Sequence, residues 1–343
     1  MIDSWYLDNL VCPVDQQGLR AGDDALTCAE GHHFPVVDGV PIMLRSDVPQ
    51  TISLAEASLR RARAAHVDTR APHLYLESLG ISEDEKEGVI SLAATSGAID
   101  PVVAFLVAAT NGLTYKHLIG GLTHYPIPDI PLPSVTTGRL LDIGCSWGRW
   151  TLAAQAKGYH AVGIDPSLGA VMAARRVARQ RGVPTRYLVG DARYLPFPPR
   201  SFDVAYSYSV LQHMPAADVS LAVAEMGRVL DAGGHAKVQM PAAFGIRCLY
   251  HQARRAFRTA TGFEVRYWTI PALLQMFERQ IGAARVDVDC YFGIGLQASD
   301  EPLMTPALKR ILRASERLKT ASRRWPALTW VADSVFVDAV LRP

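Results

Sequence analysis

Short apolar runs alternate with helical runs along residues 139–240, and this alternation constrains the fold more than any other feature of the chain. The runs RLLDI, HAVGI, TRYLV, FDVAYS and HAKVQM have the length of buried strands. GRWTLAAQAKG, SLGAVMAARRVARQRG and AADVSLAVAEMGRVL are typical of helices, with Ser167 as N-cap and with Gly158 and Gly182 after the helix ends. Two later runs, ARVDVDCYF and LTWVADSVFVDAV, are candidates to complete the sheet. The pattern predicts an α/β fold with a doubly wound sheet.

The stretch LLDIGCSWGRW, residues 140–150, is the predicted turn from the first strand into the first helix. Gly144 and Gly148 permit a tight backbone, and the N terminus of the following helix offers free N–H groups and positive potential. A ligand pressed against the main chain explains such a turn, although tight packing alone is the alternative. A nicotinamide cofactor is not favoured, because Arg149 and Trp150 occupy the place of the third glycine in its motif.

An acidic residue stands near the end of each of the first three strands, at Asp142, Asp165 and Asp191. Asp165 follows Asp142 at about the 20-residue spacing of carboxylates that bind ribose hydroxyls, and Asp191 could accept a hydrogen bond from an adenine amino group. Three carboxylates suit a nucleoside with a cationic tail better than a pyrophosphate. The series therefore points to S-adenosylmethionine, whereas the alternative is that each residue is an ordinary helix cap.

Residues 138–243 resemble the class I S-adenosylmethionine-dependent methyltransferases, particularly the small-molecule group that includes the quinone-biosynthesis enzymes. LLDIGCSWGRW, AVGIDPS, YLVGDARYLPFPPRSFDVAYSYSVLQHM and RVLDAGGHAKVQMP carry the resemblance in that order. It implies a Rossmann-like seven-stranded sheet and S-adenosylmethionine as cofactor. The cofactor-binding residues that it implies are Asp142, Gly144, Cys145 and Gly148 at the methionine part, Asp165 at the ribose, Asp191 and Ala192 at the adenine, and Ser207 near the methionine end. Ser146 departs from the family, which usually has the middle glycine there.

Methyl transfer requires positioned reactants and, for an OH or NH acceptor, removal of a proton. His213 in SVLQHMP is the candidate base, with a structural histidine as the alternative, and Tyr208 and Gln212 are candidates to line the same pocket. Cys145 is better explained as a packing residue than as a nucleophile. AYSYSVLQH lacks the carboxylates of the metal-dependent catechol type, and no Asn-Pro-Pro-Tyr motif is present. We therefore predict O-methylation of a small molecule or glycan, without metal in the chemical step.

The first 48 residues have a chemistry of their own. LVCPVD and LTCAEGHHF place Cys12, Asp15, Cys28 and His32 at spacings close to those of a small zinc site, with His33 as a less well spaced substitute. The segment resembles the zinc-ribbon-like domains of some ribosomal-RNA guanine methyltransferases and, in FPVVDGVPIML, the small activator subunits of tRNA methyltransferases. Those patterns have cysteine in place of Asp15. The domain therefore either binds structural zinc through a carboxylate or has kept its fold without the metal.

Three parts are expected along the chain: a zinc-ribbon-like domain at 1–48, a helical segment and Pro-rich linker at 49–137, and the methyltransferase domain at 138–343. SLAEASLRRARAAH and SEDEKEGVISLAA predict helices in the middle part, the second with a capping box formed by Ser82 and Glu85. Four prolines in HYPIPDIPLPSVTTG predict irregular structure. The helical segment and FEVRYWTIPALLQMF are expected to cover the active site, with Tyr267 and Trp268 as candidate pocket walls.

Composition limits the remaining alternatives. The chain of 343 residues has 49% hydrophobic and 20% charged residues, and no run approaches the roughly 18 apolar residues of a membrane span. Its start shows no secretory signal, and its five scattered cysteines indicate no disulfide framework, so a cytoplasmic location is expected. The formal net charge of +2 does not demand a nucleic-acid partner.

Three basic stretches keep an RNA acceptor as an alternative: RRVARQR, RCLYHQARRAFR and LKRILRASERLKTASRRW. Basic residues at helical spacing are more often the solvated face of an amphipathic helix. A third hypothesis is a non-catalytic partner protein with this fold, which the intact acidic series disfavours. The sequence does not indicate the oligomeric state.

Overall fold

The computed structural model describes residues 2–64, 99–109, 121–293 and 297–342, together with positions 84, 87, 88, 91 and 295. The predicted capping box at Ser82 and Glu85 lies outside the described residues. Element numbers below refer to the described part of the chain. The N-terminal part begins with a short helix and continues as a four-stranded antiparallel sheet in sequence order. Its elements are α1 (Ser4–Asn9), β1 (Arg20–Ala21), β2 (Ala25–Thr27), β3 (His33–Val37) and β4 (Val40–Pro41).

Seven strands form the central sheet, in the order β10-β11-β9-β8-β5-β6-β7. They are β5 (Gly138–Ile143), β6 (Tyr159–Asp165), β7 (Arg186–Val189), β8 (Phe202–Ser207), β9 (Leu230–Pro241), β10 (Ala284–Cys290) and β11 (Ser334–Val340). The strands from β5 to β9 are parallel, while β11 runs antiparallel to both β9 and β10. The predicted seven-stranded sheet is confirmed, and the two late apolar runs provide its last two strands.

Helices pack around this sheet. They are α2 (Ser53–Ala62), α3 (Pro101–Ala109), α4 (Arg149–Ala156), α5 (Leu168–Gln180), α6 (Ala216–Val229), α7 (Ile246–Arg254), α8 (Ile270–Gln280) and α9 (Pro306–Ser322). The Ser167 side chain accepts a hydrogen bond from the Ala170 N–H and caps α5 as predicted. Gly158 and Gly182 follow α4 and α5 with φ of +95° and +63°, the left-handed conformation that ends many helices. No described helix is long and apolar enough to cross a membrane.

The small N-terminal sheet lies against the β7 edge of the central sheet. The Met43 N–H donates to the Val189 carbonyl at 2.7 Å, and the Tyr6 hydroxyl donates to the Tyr187 carbonyl at 2.8 Å. Leu26 and Phe34 of the small sheet are buried in the same apolar cluster as residues of the central sheet. This contact covers backbone groups that a free edge strand would present to solvent.

The Pro-rich segment has no helix or strand between residues 122 and 137, as its prolines predict. The segment is packed against the rest of the fold, because Ile130 and Leu132 are buried with Leu140 and Tyr159 in one apolar cluster. The segment therefore packs along the central sheet on its way into β5.

Candidate functional site

A cavity of about 990 Å³ lies at the carboxyl ends of β5, β6, β7 and β8. The turns after these strands form its inner wall, through residues 143–147, 165–167, 190–192, 208–210 and 212–214. Residues of α2, α7 and α9, with Phe263, Tyr267 and Phe292, form the other walls. A ligand site at this edge is what the topology of a doubly wound sheet provides.

The turn after β5 has a left-handed backbone at three positions. Gly144 and Gly148 have φ of +77° and +83°, and a side chain at Gly144 would overlap Val210, while one at Gly148 would lie 2.5 Å from the Tyr187 hydroxyl. Tight packing within the protein therefore accounts for both glycines, alongside any ligand. Ser146 also adopts a positive φ, +47°. The loop thus keeps a left-handed geometry where the serine replaces glycine, at a cost of about 1 kcal/mol.

Asp165 joins two of the turns that form the wall. Its Oδ2 accepts from the Ser146 N–H and its Oδ1 from the Ser167 N–H, each at 2.9 Å. The carboxyl group is partly exposed at the cavity wall, and burial raises its pKa to about 6. Each oxygen keeps a second lone pair, so the carboxylate can still accept hydrogen bonds from a ligand in the cavity.

Asp142, Gly148 and Ser207 lie behind the wall. Oδ2 of Asp142 accepts from the Thr151 hydroxyl at 2.6 Å, whereas its buried Oδ1 has no hydrogen-bond partner among the described residues. Burial raises the pKa of Asp142 to about 7. The Ser207 hydroxyl is fully buried and donates to the Ile143 carbonyl at 2.9 Å. The structure therefore places Ser207 as a link between β8 and β5, set back from the cavity.

Cys145 lies in the wall but is 1% exposed, and burial raises the pKa of its thiol well above the usual value. A buried thiol that stays protonated is inert, which agrees with a packing role.

Asp191 is held by an arginine that sequence reasoning missed. Arg193 donates to both carboxylate oxygens of Asp191, with Nη2 2.7 Å from Oδ2, and also to the Pro49 carbonyl and to Asp218. Both Asp191 and Arg193 are buried, at 4% and 7% exposure. Asp191 and Ala192 lie in the cavity wall, but the carboxylate is already part of an ion pair. The arginine two residues after the aspartate in GDARYLPF was the available signal.

His213 lies in the wall on a short 3₁₀ turn, Leu211–His213. Its Nδ1 is 2.7 Å from the Phe263 carbonyl oxygen, and its Nε2 is 3.2 Å from the Gln212 side-chain nitrogen. Desolvation, with a smaller effect of Arg266, lowers the pKa of His213 below its ordinary value of 6.5. The imidazole is therefore neutral at pH 7.

Two of the aromatic residues named from the sequence reach the cavity. Tyr208 and Tyr267 contribute to its wall, as does Gln212, whereas Trp268 does not. The Tyr208 hydroxyl is 3.1 Å from Asp289 Oδ2. Tyr208 is thereby fixed in orientation at the edge of β8.

The amino-terminal ligands predicted from spacing come together. Ligand atoms of Cys12, Asp15, Cys28 and His32 all lie within 4.8 Å of one another, and they form the one such cluster in the described part of the chain. His32 Nδ1 is 3.5 Å from Cys12 Sγ, 3.2 Å from Cys28 Sγ and 2.9 Å from Asp15 Oδ2. A tetrahedron of protein ligands around zinc has edges of roughly 3.3 to 3.8 Å, so the cluster is close to the size that zinc requires. The neighbouring His33 is exposed and outside the cluster.

The three basic stretches lie on α5, α7 and α9. Several of their arginines are paired within the protein. Arg176 bonds to Asp100, Arg175 to the Asp38 carbonyl and Arg313 to Glu301.

Comparison with known proteins shows that the central region of the chain is similar to methyltransferases. Residues 140–234 match the family model described as a methyltransferase domain. The chain is 33% identical over 96 residues to a ubiquinone biosynthesis O-methyltransferase of Azorhizobium caulinodans, covering 28% of this chain and 37% of the relative. It is 36% identical over 101 residues to the demethylmenaquinone methyltransferase of Thermus thermophilus, covering 28% of this chain and 44% of the relative. The chain thus spans less than half the length of these curated relatives.

Two solved structures are among those that the chain matches. The YcgJ protein of Bacillus subtilis is 22% identical with a TM-score of 0.42, over 62% of this chain and 94% of that chain. Phosphoethanolamine N-methyltransferase 2 of Haemonchus contortus, solved with S-adenosylhomocysteine, is 20% identical with a TM-score of 0.41, over 63% of this chain and 51% of that chain.

A methyltransferase domain, matched at residues 140–234, therefore lies within the Rossmann-like sheet, whose strands span residues 138–340. It belongs to class I, whose cofactor is S-adenosylmethionine, and the resemblance noted in the sequence is confirmed over these residues.

Proposed function

We propose that the chain transfers a methyl group from S-adenosylmethionine to a hydroxyl of a small molecule. The observation that carries the proposal is that one cavity has both Asp165 and His213 in its wall. Burial raises the pKa of Asp165 and lowers the pKa of His213. A carboxylate can accept hydrogen bonds from ribose hydroxyls, and a neutral imidazole can remove the proton of the acceptor hydroxyl.

The described residues fit the cofactor. Asp165 would accept hydrogen bonds from the ribose hydroxyls, and the loop at 143–147 would lie along the methionine part. Behind this loop, the buried Oδ1 of Asp142 has no hydrogen-bond partner among the described residues. Because Arg193 engages the Asp191 carboxylate, we assign the adenine contact mainly to the backbone near Ala192. When bound, S-adenosylmethionine supplies a methyl group on a positively charged sulfur, which becomes a neutral thioether as the methyl leaves.

The chain contributes positioning and proton removal. The carbonyl of Phe263 can only accept a hydrogen bond, so Nδ1 of His213 carries the proton and Nε2 keeps its lone pair. Nε2 of His213 would therefore take the proton of the acceptor hydroxyl, and the resulting imidazolium would release it to water. The Gln212 amide, which now contacts Nε2, would have to give way to the acceptor.

A small acceptor without metal in the chemical step is favoured by the cavity wall. Among the described residues, no cluster of three metal-ligating side chains lies in the cavity, and Trp150, Tyr208, Phe263 and Tyr267 give its acceptor side an aromatic surface. The names of the curated relatives, which refer to ubiquinone biosynthesis and demethylmenaquinone, support the same class of acceptor.

We also propose that Cys12, Asp15, Cys28 and His32 bind one structural zinc ion. All four ligands come from the protein, as in closed structural sites. The site joins the turn after Val11 to the turn after Cys28, so the metal would hold the small sheet in the shape that covers β7.

An acceptor screen with methyl-labelled cofactor tests the function. Hydroxylated aromatic compounds, sugars and structured RNA are offered in parallel, and the expected result is label in a small hydroxylated compound with S-adenosylhomocysteine as co-product. Label transferred to RNA, or to an amine in preference to its hydroxyl counterpart, would contradict the proposal.

A further inference from the structure

The segment 244–263 carries an unusual share of exposed apolar surface. Six of the eleven large apolar side chains that are exposed among the described residues lie in this one segment. They are Phe244, Ile246, Leu249, Tyr250, Phe257 and Phe263, with 39% to 67% of their surface exposed. A patch of this kind on a folded protein marks an interaction surface.

The helix α7 separates its exposed and buried faces sharply. Ile246, Leu249 and Tyr250 are three and four residues apart and share one face, which points to solvent. Cys248 is fully buried on the other side, where its thiol donates to the Asp333 carbonyl, and Gln252 donates to the Ala243 carbonyl. The helix is therefore anchored by its polar and small residues, while its large apolar residues face outward.

The chain also holds Phe257 in solvent at a conformational cost. Ala256 and Phe257 both have a left-handed backbone, with φ of +51° and +53°, which L-residues rarely adopt. The Phe257 N–H donates to the Gln252 carbonyl at 2.8 Å, and its ring is 67% exposed. The left-handed turn ends α7 and leaves the Phe257 ring in solvent.

The charged side chains of this segment are all basic. Residues 244–263 include four arginines and no aspartate or glutamate. Arg258 pairs with Glu264, while Arg247 and Arg254, which flank the apolar face, make no ion pair with any residue that the structure describes. An apolar face flanked by unpaired arginines fits a partner with apolar and anionic groups in one surface.

The same helix borders the methyltransferase cavity. Arg247, His251, Arg254 and Arg255 contribute to the cavity wall, whereas Ile246, Leu249, Tyr250 and Phe257 do not. The exposed face therefore lies beside the cavity rather than inside it.

We propose that the exposed face of α7, formed by Ile246, Leu249 and Tyr250, docks together with the exposed Phe257 after the helix on the surface of an anionic lipid bilayer. The apolar side chains enter the boundary between headgroups and acyl chains, and Arg247 and Arg254 contact lipid phosphates. A bilayer suits the face better than an acidic protein does, because a short helix with protruding aromatic and aliphatic side chains and flanking arginines is typical of interfacial binding. The proposal does not depend on the identity of the methyl acceptor.

Vesicle flotation tests it with the full-length protein. Vesicles of phosphatidylglycerol and phosphatidylcholine in equal parts should bind the protein, and vesicles of phosphatidylcholine alone should bind it much less. Leu249→Asp should lower binding at least about tenfold, and Arg247→Gln about fivefold. Leu221→Asp is the matched control, because Leu221 is similarly exposed, at 45%, on α6, and this variant should bind like the wild type.

Two results would overturn the docking proposal. One is equal flotation of the wild type with anionic and zwitterionic vesicles, and no flotation with either would favour a protein partner. The other is equal loss in Leu249→Asp and Leu221→Asp. Circular dichroism establishes that each variant is folded. The two leucine variants, whose positions lie outside the cavity, should keep their S-adenosylhomocysteine affinity, so a failure here is separable from a failure of the methyltransferase proposal.

Discussion

The imidazole of His213 stacks on the ring of Phe263, with ring centroids 3.9 Å apart and planes 2° from parallel, and its Nδ1 bonds to the carbonyl of the same residue. Arg266 strengthens the contact between the two segments by donating to the His213 carbonyl at 2.7 Å. One residue thus fixes both the ring plane and the tautomer of the proposed base. Nε2 is therefore unprotonated, and its lone pair faces the Gln212 side-chain nitrogen at 3.2 Å.

The first prediction concerns His213 as the base. With an acceptor in hand, His213→Ala should lower kcat by about 10²- to 10⁴-fold and leave cofactor affinity unchanged. His160→Ala is the control, since His160 is exposed on β6 and away from the cavity. Steady-state kinetics and calorimetry provide the two readouts. Full turnover in His213→Ala would contradict its role as the base and would mean that the protein acts by positioning the reactants alone.

The second prediction is a loss of cofactor affinity in acid. In the free protein the pKa of Asp165 is raised to about 6, and hydrogen bonds from ribose hydroxyls favour its charged form, so binding lowers that pKa. Affinity for S-adenosylhomocysteine should therefore be constant above about pH 7 and fall up to about tenfold per pH unit below about pH 6. Calorimetry across pH measures this. Asp165→Asn should bind more weakly at neutral pH and show a shallower decline, and an unchanged profile in that variant would exclude Asp165 as the titrating group.

Local patterns predicted the frame of the site well. Ser167 and Gly158 are helix boundaries that depend on near neighbours, and Asp165 reaches the cavity because it ends a parallel strand. The cluster of Cys12, Asp15, Cys28 and His32 was also predictable from local spacing, because its ligands come from two short turns.

Contacts between distant residues could not be predicted in the same way. Arg193 bonds to Pro49 as well as to Asp191, and Arg149 bonds to Asp300, 151 residues away. No local spacing encodes such pairs. The wall formed by α7 was missed because its basic residues have the spacing of an ordinary solvated helix, and only the tertiary fold shows which side is buried.

The third prediction is about one zinc ion per chain. Elemental analysis of untagged protein should find it, and a strong chelator should lower the melting temperature because the closed site stabilises the small sheet. Cys28→Ser should lose the metal, whereas Cys290→Ser, a change at a buried cysteine of β10, should keep it. Metal-free protein whose melting curve does not respond to chelator would indicate a ribbon that folds without zinc.

The fourth prediction separates a small acceptor from RNA. Methylation of a small hydroxylated compound should change little with moderate salt, because recognition in a mostly apolar cavity involves few charges. An RNA acceptor held by several arginines of α5, α7 and α9 would lose affinity steeply, with a logarithmic slope that grows with each phosphate contact. Rates at low and high salt, measured with the acceptor found by the screen, distinguish the two.

The central claim is that the cavity binds S-adenosylmethionine through Asp165, and calorimetry with S-adenosylhomocysteine tests it most directly. Asp165→Ala should weaken binding by about 1 to 3 kcal/mol through the loss of charge-assisted hydrogen bonds. Asp287→Ala, which removes an exposed carboxylate on β10, should bind like the wild type. Equal affinities of all three proteins would contradict the assignment of Asp165, and no binding to the wild type would contradict the cofactor site itself.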